Sequence, residues 1–322
     1  MRPKRRISGV ALLSVMAIAG ITGILAYHIV TMQALTVSHS GLTINQEDAL
    51  SYAKGIEEYV KEKLTEDFGG ETTSGFDSEV EEWASLIPPF EVPEGQVYLQ
   101  VIDLTSRFNA NSLIDPENKV AQHTLQMLCS ELGLDVSVAA KLQDWIDPDT
   151  NTLPNGGEDW EYALFDTPFR TANQFAADIS EVSFFAPLLK EAMIELEQHI
   201  TVLPTPTLGI NLNTVQEPLL TALIPDQANV QFAEKFCEEE RSYDNISTAT
   251  SSFPSLAAVE EYLRVKSDFF ELKVTILMGE RTRIDTTSTL YRSPADGSVT
   301  VYKRDLSRRH NWTTEEETES WL

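Results

Sequence analysis

From residue 10 to residue 35 the chain reads VALLSVMAIAGITGILAYHIVTMQAL, a run without a lysine, arginine, aspartate or glutamate. A helix needs about 20 apolar residues to cross the hydrocarbon of a bilayer, so a run this long is expected to span a membrane. The flank sets the orientation. Residues 1–9, MRPKRRISG, hold the cations Arg2, Lys4, Arg5 and Arg6 and no acid. Basic residues stay on the cytoplasmic side, so everything after the span is exported. A cleaved secretory signal has a shorter apolar region with small residues after it. Here the run is too long and Gly9 stands before it, which predicts a span that remains attached.

The rest of the chain is strongly acidic. The 322 residues carry a formal charge of −26, and without the leader's cations 20 basic residues face 50 acids. Contact with nucleic acid needs clustered cations to neutralise phosphates, so no nucleic acid is expected as a partner. An anionic lipid surface is equally unsuited to the exported part. Hydrophobic residues make up 42%, enough for packed cores. No phosphate-binding loop, dinucleotide fingerprint or G-x-S-x-G nucleophile turn is present, and the five histidines have no nucleophile motif beside them. No catalytic residue is assigned. Two cysteines, Cys129 and Cys237, are too few for a disulfide scaffold; one bridge between them is allowed in an oxidising compartment.

Beyond the apolar run, Ala49, Tyr52, Ala53, Ile56, Tyr59, Val60 and Leu64 recur at helical spacing, predicting one long helix that ends at Phe68-Gly69-Gly70. Residues 69–95 read as a loop with a short helical piece near residues 80–86. Residues 96–104 read as a strand, 107–265 as helices with frequent proline and asparagine breaks, and 267–278, 282–291 and 298–304 as three strands. One strand before a helical block and three after it predict an α+β fold: a sheet covered by the long helix, with a helical domain inserted between strands. Phe108-Asn109-Ala110-Asn111-Ser112-Leu113 and Ile210-Asn211-Leu212-Asn213-Thr214-Val215 form a faint repeat. It fits a capped helical unit used twice. A DNA-binding helical hairpin would start similarly, but the acidity argues against it.

The segment with most chemical content is residues 144–162, DWIDPDTNTLPNGGEDWEY. Its prolines and glycines make it a loop. Asp144, Asp147, Asp149, Glu158, Asp159 and Glu161 repel one another unless a cation joins them, and Asn151 and Asn155 add neutral oxygens. An all-oxygen set on a bendable loop suits Ca²⁺, whereas Zn²⁺ would want histidine or cysteine. The spacing is not that of an EF-hand, because Gly156 and Gly157 come too late. A solvated acidic loop remains the alternative. Asp147 with Asp149 would form one ligand arm and Glu158 with Asp159 the other.

The basic leader, Gly9 and the apolar helix beginning at Val10 resemble a type IV prepilin signal. Major pilins and pseudopilins carry glutamate at the fifth mature position; with Val10 first, the residue here is Ser14. That glutamate is thought to pair with a neighbour's N-terminal amine, so a subunit with nothing stacked above it can dispense with it.

Further blocks, in order, resemble the K-type minor pseudopilin family of the type II (general) secretion pathway. They are Arg107-Phe108-Asn109-Ala110-Asn111-Ser112-Leu113; Asp144-Trp145-Ile146-Asp147 with Gly157-Glu158-Asp159; Pro168-Phe169-Arg170-Thr171-Ala172-Asn173-Gln174; Asp178-Ile179-Ser180-Glu181; and Ile200-Thr201-Val202-Leu203-Pro204 with Ile210-Asn211-Leu212-Asn213-Thr214. The family usually has Gly-Ala-Glu-Asp where this chain has Gly156-Gly157-Glu158-Asp159.

The resemblance implies a pilin-like fold with a large inserted α-domain. It implies cleavage after Gly9 by prepilin peptidase and methylation of Val10. It also implies a non-enzymatic role at the tip of a periplasmic pseudopilus with I-, J- and H-type minor pseudopilins, starting assembly and supporting protein export across the outer membrane. Calcium in the inserted domain is implied too, with Asp147, Asp149, Glu158 and Asp159 as ligands and Asp144 and Asn151 as further candidates. The chain would be a single-pass inner-membrane protein of a Gram-negative bacterium with its C-terminal domain in the periplasm. The organisation expected is leader 1–9, transmembrane helix 10–36, pilin helix, loop and first strand 37–106, inserted domain 107–266, closing strands 267–306 and a disordered acidic tail 307–322. The rival reading is a membrane-anchored periplasmic calcium-dependent hydrolase or binding module.

Overall fold

The computed structural model describes residues 8–69, 75–85, 88–225, 230–279 and 281–310. Its first element is a helix, α1 (Ser8–Gly69). The N-terminal stretch of α1 is apolar and exposed, and is long enough to cross a membrane. Ser14 lies on it and donates its hydroxyl hydrogen bond to the Val10 carbonyl at 2.9 Å, so this polar group is satisfied within its own helix.

The second half of α1 lies on a five-stranded antiparallel sheet. The strands are β1 (Phe90–Val92), β2 (Gly95–Asp103), β7 (Phe269–Met278), β8 (Thr282–Arg292) and β9 (Val299–Asp305), in that spatial order. Ala49, Ala53, Val60 and Leu64 of α1 meet Val97, Leu99, Phe270, Leu272, Val274, Ile276 and Leu290 of the sheet. Alternate strand residues reach this core, which is why the alternating segments form strands. Glu57 is buried under the helix. Its carboxylate accepts hydrogen bonds from Ser288 Oγ at 2.6 Å and from Arg304 Nη2 at 2.6 Å and Nε at 3.0 Å. Burial opposes its charge, but these bonds outweigh it and hold the carboxyl below its usual range.

The insertion leaves and re-enters at one place, because Asp103 at the end of β2 pairs with Phe270 in β7. Asp103 ties the neck. Its Oδ2 accepts from Asn211 Nδ2, Thr214 Oγ1 and Ser267 Oγ at 2.6–3.0 Å, and its Oδ1 from the Thr105 amide at 2.7 Å. Between these ends run β3 (Phe108–Asn109), α2 (Lys119–Glu131), α3 (Ser137–Ile146), α4 (Asp159–Tyr162), α5 (Val182–Phe185), α6 (Lys190–His199), β4 (Ile200–Thr201), β5 (Ile210–Asn211), α7 (Glu217–Leu223), α8 (Val230–Glu238), α9 (Ile246–Ser252) and β6 (Leu263–Arg264). They pack around a core that includes Phe108, Leu125, Leu142, Tyr162, Phe185, Leu220 and Phe236.

The faint repeat is structural. Asn111 holds Ala176 through both backbone groups, and Asn213 holds Tyr243 in the same way. Each motif opens on a two-residue parallel pair, β3 with β4 and β5 with β6. The sequence did not announce these pairings, because two residues give no period.

Several expectations change. The helical piece near residues 80–86 is a run of turns in its described part. The Glu81 carboxylate accepts from the Ser78 amide and Trp83 Nε1, and Trp83 packs edge-on to Phe270 at 5.1 Å. The acidic tail does not begin free at Ser307. Arg308 pairs with Asp178, Glu197 and Asp305, and His310 is buried against Thr275 and Thr287. Residues 311–322 lie outside the described residues, as do residues 1–7 of the leader. Cys129 and Cys237 are free thiols rather than a bridge. Burial pushes the Cys129 thiol up to about 12 and that of Cys237 up to about 11.

Candidate functional site

The acidic loop grows out of α3. The last turn of that helix carries Asp144 and Trp145, and Asp147 ends it. Asp144 is fully buried and accepts from the Leu153 amide at 3.1 Å and the Gly157 amide at 2.8 Å. These bonds fold the loop back so that Glu158, which precedes α4, returns beside Asp147. Carboxylate oxygens of Asp147, Asp149 and Glu158 come within 4.8 Å of one another. Asp147 is 3% exposed and Glu158 2%.

Two buried oxygens in this group, Asp147 Oδ1 and Glu158 Oε1, have no hydrogen-bond partner among the described residues. A buried acceptor without a partner is costly, and three carboxylates together add repulsion. Burial, then Asp149 and Glu158, push Asp147 up to about 6. Burial likewise raises Glu158, with Asp159 and Asp149 adding to it against the hydrogen bond from Thr171. Asp144 is pushed up to about 7 by burial, and Asp147 and Glu158 add to that against the two loop amides. Among the described residues Arg170 reaches only Asp159, at 3.9 Å and on the surface.

The residues singled out from sequence separate into distinct places. Asp147, Asp149 and Glu158 form the cluster. Asp159 turns aside, since its Oδ1 accepts from the Thr171 amide and hydroxyl at 2.9 Å. Asp144 is spent on the loop amides. Asn151 is exposed and donates its amide to Asp149 Oδ1 at 2.6 Å. A residue with no assigned role joins them: Asn173, at φ 46°, donates its amide to the Trp145 carbonyl at 3.0 Å and its side-chain NH₂ to the Asp149 carbonyl at 3.3 Å. Its buried Oδ1 has no partner among the described residues. Its position in the resemblance block Pro168–Gln174 was the available signal.

The donors are thus all oxygen, part charged and part neutral, the kind that a hard cation takes. A second acidic group, Asp67, Asp77 and Glu81, differs because it already holds a cation: Arg292 is paired with both Asp67 and Asp77.

The fold agrees with what known proteins show. The family model described as type II secretion system (T2SS), protein K, first domain, matches residues 106–205, a stretch that includes the whole acidic loop. Type II secretion system protein K of Pseudomonas aeruginosa is 28% identical over 95% of this chain and 94% of its own. Over nearly its whole length the chain is thus similar to type II secretion system protein K. Protein K of Klebsiella pneumoniae is 28% identical over 84% of this chain and 88% of its own, and that of Pectobacterium carotovorum 26% over 87% and 90%. Among solved structures, a chain of the GspK–GspI–GspJ complex from enterotoxigenic Escherichia coli shares the fold. The TM-score is 0.69 at 23% identity, covering 82% of this chain and 97% of that one. These protein K relatives are named as secretion-system components.

Proposed function

We propose that this chain is the minor pseudopilin that ends a periplasmic pseudopilus, joined to I- and J-type partners and, below them, an H-type one. It would start filament assembly and so support export across the outer membrane. The observation that carries this reading is Ser14. A buried carboxylate at that place would need a cation from a neighbouring subunit, whereas the Ser14 hydroxyl is satisfied by Val10 in its own helix. The large inserted domain agrees, since it would obstruct a subunit stacked above. The solved Escherichia coli complex is one of K, I and J chains, which supports the choice of partners. The family and the arrangement of α1 favour a non-enzymatic, single-pass inner-membrane protein with its head in the periplasm. Prepilin peptidase would cut after Gly9 and leave a methylated Val10.

Calcium is the ion that we assign to the loop. Asp147, Asp149 and Glu158 would hold it, with Asn173 supplying a neutral oxygen, Asp144 keeping the loop closed and Asp159 fastening the following turn. Bound there, the cation neutralises the cluster and staples α3 to α4.

The test is N-terminal sequencing of the membrane-extracted protein, together with co-purification with tagged I- and J-type pseudopilins. A methylated Val10 start and recovery of both partners are expected. An intact Met1 and no partner would leave only a plain anchor. The labelled chain should sit at one end of isolated filaments; copies repeated along the shaft would overturn the tip assignment.

A further inference from the structure

Next to the acidic loop the inserted domain exposes an aromatic ridge that its own core does not need to cover. Phe165 is 40% exposed and Phe184 58%. Both flank the half-buried Phe169, with ring centroids 5.5 Å and 6.1 Å away. The ridge is rigid underneath. Phe169 stacks on the buried Tyr162 ring at 4.9 Å, and Phe184 lies 6.1 Å from Trp145, whose indole N–H is fixed by Glu181 Oε2 at 2.7 Å. Exposed, contiguous aromatic surface on a firm base is the usual mark of an interaction site.

The charge around the ridge chooses the partner. Next to Tyr162 and Phe165 in the chain stand Glu161 and Asp166; of the nearby cations, Arg170 is drawn to Asp159 at 3.9 Å and Lys141 donates to the Phe185 carbonyl at 3.5 Å. An anionic lipid surface would be repelled. A second copy of this chain would bring the same acids to the same ridge. We propose that the Phe165–Phe169–Phe184 ridge docks a segment of another protein that presents an apolar anchor flanked by lysine or arginine. The rings would take the anchor, and Glu161 and Asp166 would face its cations. This assignment does not depend on the tip position or on calcium.

The full chain in phosphatidylcholine nanodiscs, with empty discs as blank, is titrated with a fluorescent 14-residue leucine–lysine amphipathic helix. Two control peptides have glutamate for lysine and serine for leucine. The expected result is saturable binding of the first peptide, at least tenfold weaker binding of both controls, and at least tenfold loss in a Phe165→Ser/Phe184→Ser variant. Phe184→Ser alone and an Asp166→Asn/Glu161→Gln variant, each checked for an unchanged melting temperature, guard against misfolding and should each weaken binding severalfold. Equal binding to the ring variants would place the peptide elsewhere on the acidic surface. Equal binding of the serine peptide would reduce the effect to charge, and equal binding of the glutamate peptide would remove charge from it. A ridge-dependent dimer of the free chain would show the surface to be a self-interface. Each of these results overturns the proposal.

Discussion

Gly156 lies directly against the Asp144 carboxylate: a β-carbon at that glycine would overlap Asp144 Oδ2. The same oxygen accepts the Gly157 amide, so one carboxylate both closes the loop and forbids a side chain beside it. Gly156→Ala should therefore break the Asp144 bonds and leave that buried group unsatisfied. The expected loss is about 2–3 kcal/mol, read as a lower melting temperature. An unchanged melting temperature would mean that the loop closes without Asp144.

Gly157 meets a different obstacle. Its β-carbon would stand 2.5 Å from the Tyr162 hydroxyl, which is buried and has no hydrogen-bond partner among the described residues. A β-carbon there must displace that hydroxyl or the backbone. Gly157→Ala should cost about 1–3 kcal/mol through overpacking. Tyr162→Phe removes the unsatisfied hydroxyl and should be neutral or slightly stabilising. In the phenylalanine background the alanine should cost less, and a thermal double-mutant cycle measures that coupling. Additive effects would refute the steric link.

Asp178 joins the inserted domain to the sheet side of the molecule through Lys303 and Arg308, each at 2.6 Å. Burial works against its charge, but the Lys303 hydrogen bond, the Ser180 amide and Arg308 outweigh it and hold the carboxyl down at about 2. A depressed folded value means that the charged form stabilises the fold above the unfolded pKa of about 4, and that this contribution disappears as pH falls toward 2. Asp178→Asn should thus cost about 2 kcal/mol at pH 7, with the gap to wild type narrowing between pH 5 and pH 2. A gap that is the same throughout would show that the pairs contribute no linkage.

The long helix and the sheet were legible because apolar residues at three and four spacings, and then at every second position, leave few alternatives. The site was legible by composition: few loops gather Asp147, Asp149 and Glu158 without a nearby cation. The division of labour was not. Asp144 stands one turn before Asp147 and looks equally free, yet the Leu153 and Gly157 amides claim it. Asp159 is adjacent to Glu158 but faces Thr171. Asn173 reaches Asp149 from 24 residues away, an approach created only by the packing of Trp145, Tyr162 and Phe169. The turns at Ser78–Trp83 were misread because one Glu81 carboxylate holds two donors there, a local bond that overrides helical spacing.

The cluster makes a prediction in which two effects have opposite signs. Without a cation, Asp147 is a buried charge that faces Asp149 and Glu158 and has an unpaired oxygen. Replacing it by asparagine removes the repulsion, so Asp147→Asn should melt higher than wild type in the presence of a chelator. The same change deletes a ligand, so added calcium should raise the melting temperature of wild type far more than that of the variant. At a free concentration of about 100 times the dissociation constant the wild-type gain is about 2.7 kcal/mol. Glu158→Gln should behave in the same way, whereas Asp159→Asn, outside the cluster, should keep most of the calcium response. A solvated acidic loop that binds nothing would give no response to chelator or calcium in any of these proteins, and a role for Asp147 in packing alone would lower the variant's melting temperature in both conditions. Only a cation held between α3 and α4 makes the order of wild type and Asp147→Asn reverse when calcium is added.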